Sequence, residues 1–251
     1  MAAFADRVRR RFRISAAELA FLEQLQSHPM RVRRGQRIVS AGDPATQAFV
    51  LMTGWVMSYS HFRDGGDQMR RLHFPGDLIA MPSVAMRHHA EDIAALSDAV
   101  VSQFPKRLLA GLFAMPRLTA IMYMFAQAER ITAHDRLVNL GRNSAKERLA
   151  FLLLDILHRL RSADGSVHNS FYMHLTREQM AHFAGITPVH ASRMWTALLD
   201  EGLIACSGRM VTILDEAALA QLSHYRERDS DFDYQWLRLV DEQMRTHAPL
   251  A

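Results

Sequence analysis

Arg193 is the side chain in this 251-residue sequence best placed to do chemistry, and its neighbours say which chemistry. On a helix beginning at Pro188, Val189, Ser192, Arg193 and Thr196 share one sector at about 100° per residue. Ala191, Met194, Trp195 and Leu198 share the opposite one. The second sector is apolar and packs inward. The first sets small and hydrogen-bonding groups around one guanidinium, whose fork matches O6 and N7 of a guanine on a major-groove floor. No His-Glu-x-x-His or similar metal-ligand spacing occurs, and no nucleophile stands beside a base. A histidine-based hydrolase is therefore set aside, and neither catalytic nor metal-binding residues are assigned.

Two capped helices must position that face. Thr176 precedes a helical run with Gln179 three residues on, so hydroxyl and amide can satisfy each other's backbone neighbours as a capping box. Gly185 ends this first helix, because glycine takes the left-handed conformation of a tight turn without a Cβ penalty. Thr187 then caps a second helix with Pro188 at its first position, where a missing N–H costs nothing. Residues 204–207 and 210–214 read as two strands joined at Gly208-Arg209, a wing. A winged helix-turn-helix follows, and its candidate DNA-contacting residues are Thr176, Thr187, Val189, His190, Ser192, Arg193, Thr196 and Arg209.

Upstream, residues 31–104 alternate short Val-, Ile- and aromatic-rich segments with turn signals, the pattern of a β domain. Strands are expected at 48–52, at 55–61 and 68–74 joined through Asp64-Gly65-Gly66, after Pro75-Gly76-Asp77, and as a last pair within 93–104. From Pro116 no further glycine or proline occurs until Gly141. A helix of about 25 residues would span about 38 Å, longer than a small domain needs for its own core. A second copy of the chain is the natural partner. Ile121, Met124, Ala128 and Ile131 repeat at 3-4-3 spacing beside a stripe of Leu118, Met122 and Phe125, and these seven are the candidate dimerisation residues. The expected division is 1–115 (N-terminal helix and sensory β domain), 116–141 (dimerisation helix), 142–214 (DNA-binding domain) and 215–251 (a helical, acidic-leaning tail broken by Asp229, Asp231 and Asp233, without assigned chemistry).

Hydrophobic content of 49% and charged content of 22% are those of a soluble globular chain, and no apolar run approaches the ~18 residues of a membrane span. A cytoplasmic location and no membrane partner are expected. The single cysteine, Cys206, argues against a disulfide scaffold and excludes a self-contained iron–sulfur cluster, usually held by four thiolates. The formal net charge of +4 is compatible with nucleic acid without being diagnostic. The densest basic run, Arg7, Arg9, Arg10, Arg11 and Arg13, reads as a solvated helix face rather than a DNA arm.

A β domain, a long helix and a winged helix-turn-helix, in that order, resemble the Crp/Fnr family of bacterial transcription regulators. Gly35, Gly42, Asp43 and Gly54 fall at the turns of the family's cyclic-nucleotide-binding-like β-roll, and Phe74-Pro-Gly-Asp-Leu78 is similar to its Pro-Gly-Asp turn. The run from Asn139 to Ala150 is similar to the hinge and first DNA-domain helix. The run from Gly185 to Arg193 resembles a subgroup favouring Thr-Pro-Val-His. The resemblance implies an α+β fold, a β-roll (jelly roll) followed by dimerisation helix and winged helix-turn-helix. It also implies a homodimer on near-palindromic double-stranded DNA, with RNA polymerase as a further partner and control by a signal at the roll. Many members carry glutamate where Val189 stands, which leaves the half-site open.

An effector pocket is implied at Gly76, Asp77, His89 and Ala90. Cyclic-AMP-binding relatives have an Arg-Ser pair where His89-Ala90 stand; histidine is a pH-dependent phosphate partner and alanine offers no hydroxyl, so a cyclic nucleotide is not expected. His61, His73, His88 and His89 lack a ligand spacing, so haem is not expected either, and the effector is unknown. The competing reading is a ligand-binding regulatory module that acts on a protein partner. The polar face around Arg193 argues against it, because docking faces carry apolar anchors.

Overall fold

The computed structural model describes residues 3–61, 67–228 and 233–246. Helices α1 (Ala3–Arg11) and α2 (Ala16–Gln24) precede eight strands: β1 (Pro29–Val32), β2 (Arg37–Val39), β3 (Gln47–Thr53), β4 (Val56–His61), β5 (Asp67–His73), β6 (Leu78–Ile79), β7 (Asp92–Ala95) and β8 (Ala99–Pro105). They make two antiparallel four-stranded sheets, ordered β1-β8-β3-β6 and β2-β7-β4-β5. Phe49, Leu51, Val56, Ile79, Ile93 and Val101 fill the space between the sheets, as period-two alternation requires of a β-roll. The Asp64-Gly65-Gly66 turn lies outside the described residues, but β4 and β5 are antiparallel neighbours with Val56 opposite His73. The strands expected as one pair within 93–104 separate: β7 joins β2 and β4, whereas β8 joins β1 and β3. Two adjacent apolar strands read alike whether they form a hairpin or turn a sandwich corner.

A 3₁₀ segment (Lys106–Ala114) leads into α3 (Pro116–Arg142), then α4 (Ala145–Ala163), β9 (Ser170–Tyr172), α5 (Arg177–Ala184), α6 (Pro188–Asp200), β10 (Ile204–Ser207), β11 (Met210–Ile213) and α7 (Glu216–Ser223). The second half closes around Leu152, Phe183, Trp195, Leu198 and Ile213, with the wing sheet ordered β10-β11-β9. Trp55, Leu72, Phe74 and Leu96 of the roll belong to the same apolar cluster, so the two halves share a core. Among the described residues no helix is long and apolar enough to cross a membrane.

The tail holds a further helix, α8 (Tyr234–Thr246), which returns to α3. Leu237, 4% exposed, enters the core that α1, α2, β3 and α3 share. Trp236 stands with its ring centroid 6.1 Å from that of Tyr123, and Asp241 pairs with Arg117. Just upstream, Arg228 grips Asp135 at 2.8 Å. Asp229 and Asp231 lie outside the described residues.

One buried charge ties the halves together. Asp77 is 3% exposed in the Phe74-Pro-Gly-Asp turn and accepts from Arg7 of α1, from Arg159 of α4 at 2.7 Å and from the Phe74 amide at 3.0 Å. Arg71 of β5 stands 3.7 Å away. Burial alone pushes the carboxyl pKa up, but Arg159, Arg7 and Arg71 outweigh it and hold the group well below the usual carboxylate range. Arg10 reaches the Ala163 carbonyl and Arg11 the Ser162 hydroxyl at 2.6 Å, extending the clamp from α1 to the end of α4. The expectation of a solvated arginine face is thus corrected: Arg9 and Arg13 are exposed, but Arg7, Arg10 and Arg11 are spent on contacts inside the chain.

Replacing Asp77 with asparagine leaves three half-buried guanidiniums without their buried counter-charge and should destabilise the fold by about 3–5 kcal/mol, read from urea unfolding at neutral pH. A depressed folded pKa means that this stability is complete above the ordinary carboxylate value of 3.8 and is lost as pH falls toward the lower folded value. The Asp77→Asn protein should lack that acid-side contribution, so the wild-type advantage shrinks below about pH 4.

Candidate nucleic-acid interface

The local chemistry of residues 175–199 is realised bond for bond. The Gln179 backbone amide donates to the Thr176 hydroxyl at 3.1 Å, while the Gln179 side-chain carbonyl accepts from the Thr176 amide at 2.9 Å. Gly185 sits at φ +63° and closes α5. The Thr187 hydroxyl caps α6 by accepting from the His190 amide at 3.3 Å, with Pro188 following. Ala191, Trp195 and Leu198 are buried, and Met194 is half-buried beside them. Arg177 stacks on the Trp195 ring with 3.8 Å to its centroid, locking the second helix against the first.

The opposite face is open. Val189 is 65% exposed, and His190, Ser192, Arg193 and Thr196 are exposed around it. Ser192 donates to the Pro188 carbonyl at 3.0 Å, which leaves its oxygen lone pairs outward. Arg193 is exposed and makes no hydrogen bond or ion pair with the described residues. Three of the residues assigned to DNA contact are otherwise engaged: Thr176 and Thr187 serve as caps, and Arg209 donates to the Met173, His174 and Leu175 carbonyls at 2.8, 2.8 and 3.2 Å. Arg209 thereby fixes the wing to the segment entering α5.

On α3 the candidate dimerisation residues divide by direction. Leu118 and Ile121 are fully buried in the chain's own core, Phe125 packs on α1 with its ring 6.5 Å from that of Phe4, and Met122 is half-buried against the same core. Met124, Ala128 and Ile131 line a groove against α8. The face turned to solvent carries Tyr123, Ala126, Arg130, Ala133 and Leu137, all exposed, Tyr123 at 56% and Leu137 at 67%. This stripe repeats at 3-4-3-4 spacing. α1 and α8, whose docking sites no local pattern reveals, cover the more apolar stripes.

The four effector-pocket residues do not form one site. Asp77 is consumed by its arginines, and Gly76, at φ +88°, lies against the Ala3 carbonyl and Arg7 of α1. His89 is buried near Asp43, its pKa lowered by burial, and its main chain pairs with Asp43 and Gly42. Ala90 is exposed and donates its amide to Ser83. His73 is buried with its Nε2 2.7 Å from the Ser58 hydroxyl, and burial holds its pKa low. Among the described residues no group of three or more His, Cys, Asp or Glu side chains is arranged to hold a metal ion. A cavity of about 410 Å³ instead opens between the roll, α3, α4 and α5; its lining includes Gly76 but not Asp77, His89 or Ala90.

Residues 29–115 match the family model for the cyclic nucleotide-binding domain, and residues 147–222 that for the Crp-like helix-turn-helix domain. The chain is 27% identical over 213 residues to the fumarate and nitrate reduction regulatory protein of Escherichia coli K12, covering 84% of this chain and 85% of that one. Among solved structures it is similar to FixK2 from Bradyrhizobium japonicum, with TM-score 0.71, 24% identity, and coverage of 79% of this chain and 98% of the other. A CRP-family transcriptional regulator of Thermus thermophilus is similar with TM-score 0.60, 21% identity, and coverage of 79% and 98%. At these identities the solved structures speak for the fold, and the two family models for its parts. Roll, long helix and capped helix-turn-helix, matched in this order, make the chain a member of the Crp/Fnr family of DNA-binding transcription regulators.

Proposed function

We propose that the protein acts as a homodimer on near-palindromic double-stranded DNA in the cytoplasm, with one α6 in each of two successive major grooves. The single observation that carries this reading is the free Arg193 on the exposed face of a helix locked by its own caps. Arg193 reads a guanine, Ser192 and Thr196 supply adaptable hydrogen bonds, and Val189 offers apolar contact to a thymine methyl. Thr187 and His190 approach the phosphates at the start of α6, where free amides favour anions. Thr176 and Arg209 act indirectly by fixing α5 and the wing. The outward stripe from Tyr123 to Leu137 forms the seam with the second copy, and the flanking Ile131 sits beside it. RNA polymerase is the expected further partner.

Control follows from the shared core and the Asp77 clamp. Both favour one arrangement of the DNA-binding half against the roll, and a signal received between them shifts the balance toward another. Asp77, tied to Arg159, is in this reading a part of the coupling rather than an effector-pocket residue. His89 and Ala90 flank the roll without reaching the cavity.

Replacing Arg193 with alanine should cost about 1–3 kcal/mol on a duplex selected from a random library and little on unselected DNA, measured by fluorescence anisotropy at fixed salt. Equal wild-type affinity for selected and unselected duplexes would contradict sequence reading. Leu137→Glu places like charges across the seam and should shift the protein from dimer to monomer in sedimentation velocity. An unchanged dimer would move the interface elsewhere.

A further inference from the structure

The cavity between the halves has a chemical character of its own. Leu72, Leu78, Met122, Phe125, Phe151 and Phe183 give it apolar walls. Arg7, Arg70, Arg71, Arg130, Arg136 and Arg159 also line it, against the carboxylates of Glu91, Glu129 and Asp155. Pairing decides which cations are spare. Arg71 is spent on Glu129 through two 2.6 Å bonds, and Arg7 and Arg159 on Asp77.

Arg136 has no carboxylate at ion-pair distance among the described residues and donates only to main-chain carbonyls, those of Met69, Arg70 and Phe183. Its Nε is buried without a hydrogen-bond partner, as is the Nε of Arg7. Desolvation lowers the Arg136 pKa to about 10, so the group stays charged at neutral pH. Arg70 is exposed and reaches the Ala90 carbonyl, and Arg130 is exposed and makes no hydrogen bond or ion pair with the described residues. The remaining acids, Glu91 and Asp155, have pKa values raised by burial.

We propose that this cavity binds a small amphipathic anion, its apolar body on Phe125, Phe151 and Phe183 and its acidic head between Arg70 and Arg136. An apolar enclosure with a few convergent cations is the composition expected of such a site. Its walls come from β5, α3, α4 and α5, so an occupant touches both halves and stabilises the arrangement in which those walls meet. The inference rests on the reading of the chain as a signal-controlled regulator and names the class of signal.

The test uses 8-anilinonaphthalene-1-sulfonate, an aromatic anion, and N-phenyl-1-naphthylamine, the same ring system without the charge. The full chain should bind one sulfonate dye per protomer saturably and the neutral compound roughly ten-fold more weakly, the loss expected on removing a charge-assisted bond. Arg136→Met should weaken the dye by a similar factor and leave the neutral compound unchanged. An Arg70→Ala variant, altering one exposed side chain outside the α3 stripe, should do the same without disturbing the carbonyl contacts of Arg136. Equal affinity for the two compounds, or dye affinity unchanged in both variants, overturns the proposal. Binding to a selected duplex is measured in parallel. A protein that binds the duplex but not the dye refutes the cavity assignment alone, and one that binds the dye but no selected duplex refutes the DNA reading alone.

Discussion

The interaction on which the rest depends is the buried carboxylate of Asp77 between arginines from three elements. Taking a charge out of water is costly, and the site repays that cost only while Arg7, Arg71 and Arg159 are all in place. These arginines come from α1, β5 and α4, so the ion cluster is satisfied in one arrangement of the two halves. The shared apolar core around Trp55 and Phe74 acts in the same direction, and Arg159 joins the two effects by stacking on Phe74 at 4.7 Å to the ring centroid.

The exposed face of α6 was legible in the sequence because it is built from local rules. A capping box, a left-handed glycine and a threonine-proline helix start each act within four residues, and the 3.6-residue period then fixes which side chains face out. The β-roll was legible through alternation and turn residues, and the order of the parts through their similarity to a known family. What stayed hidden is long-range. Arg209, a candidate DNA contact on the wing in the sequence, has the carbonyls of residues 173–175 around it. The arginine run of α1 looks solvated until Asp77, Ser162 and Ala163 are brought to it. Partition of β7 and β8 between two sheets is likewise a property of the sandwich rather than of either strand.

The long helix shows the same limit most clearly. α3 carries apolar residues on three sides, and period alone cannot say which side faces whom. α1 and α2 take Leu118 and Ile121, α8 takes Met124 and Ala128, and the stripe left to solvent is Tyr123, Ala126, Arg130, Ala133 and Leu137. The tail helix thus changes the reading of a segment far upstream in the chain, by occupying a surface that pattern analysis assigns to a partner.

Base reading by paired α6 helices is the central claim, and chemical interference tests it most directly. Dimethyl sulfate modifies guanine at N7, one of the two atoms that the Arg193 fork would engage. On a selected duplex, modification should block binding at guanines in two half-sites about 10 base pairs apart, centre to centre, related by two-fold symmetry. Loss of that interference in the Arg193→Ala protein would tie it to this side chain. Binding indifferent to guanine modification, or interference confined to a single half-site, would contradict the account.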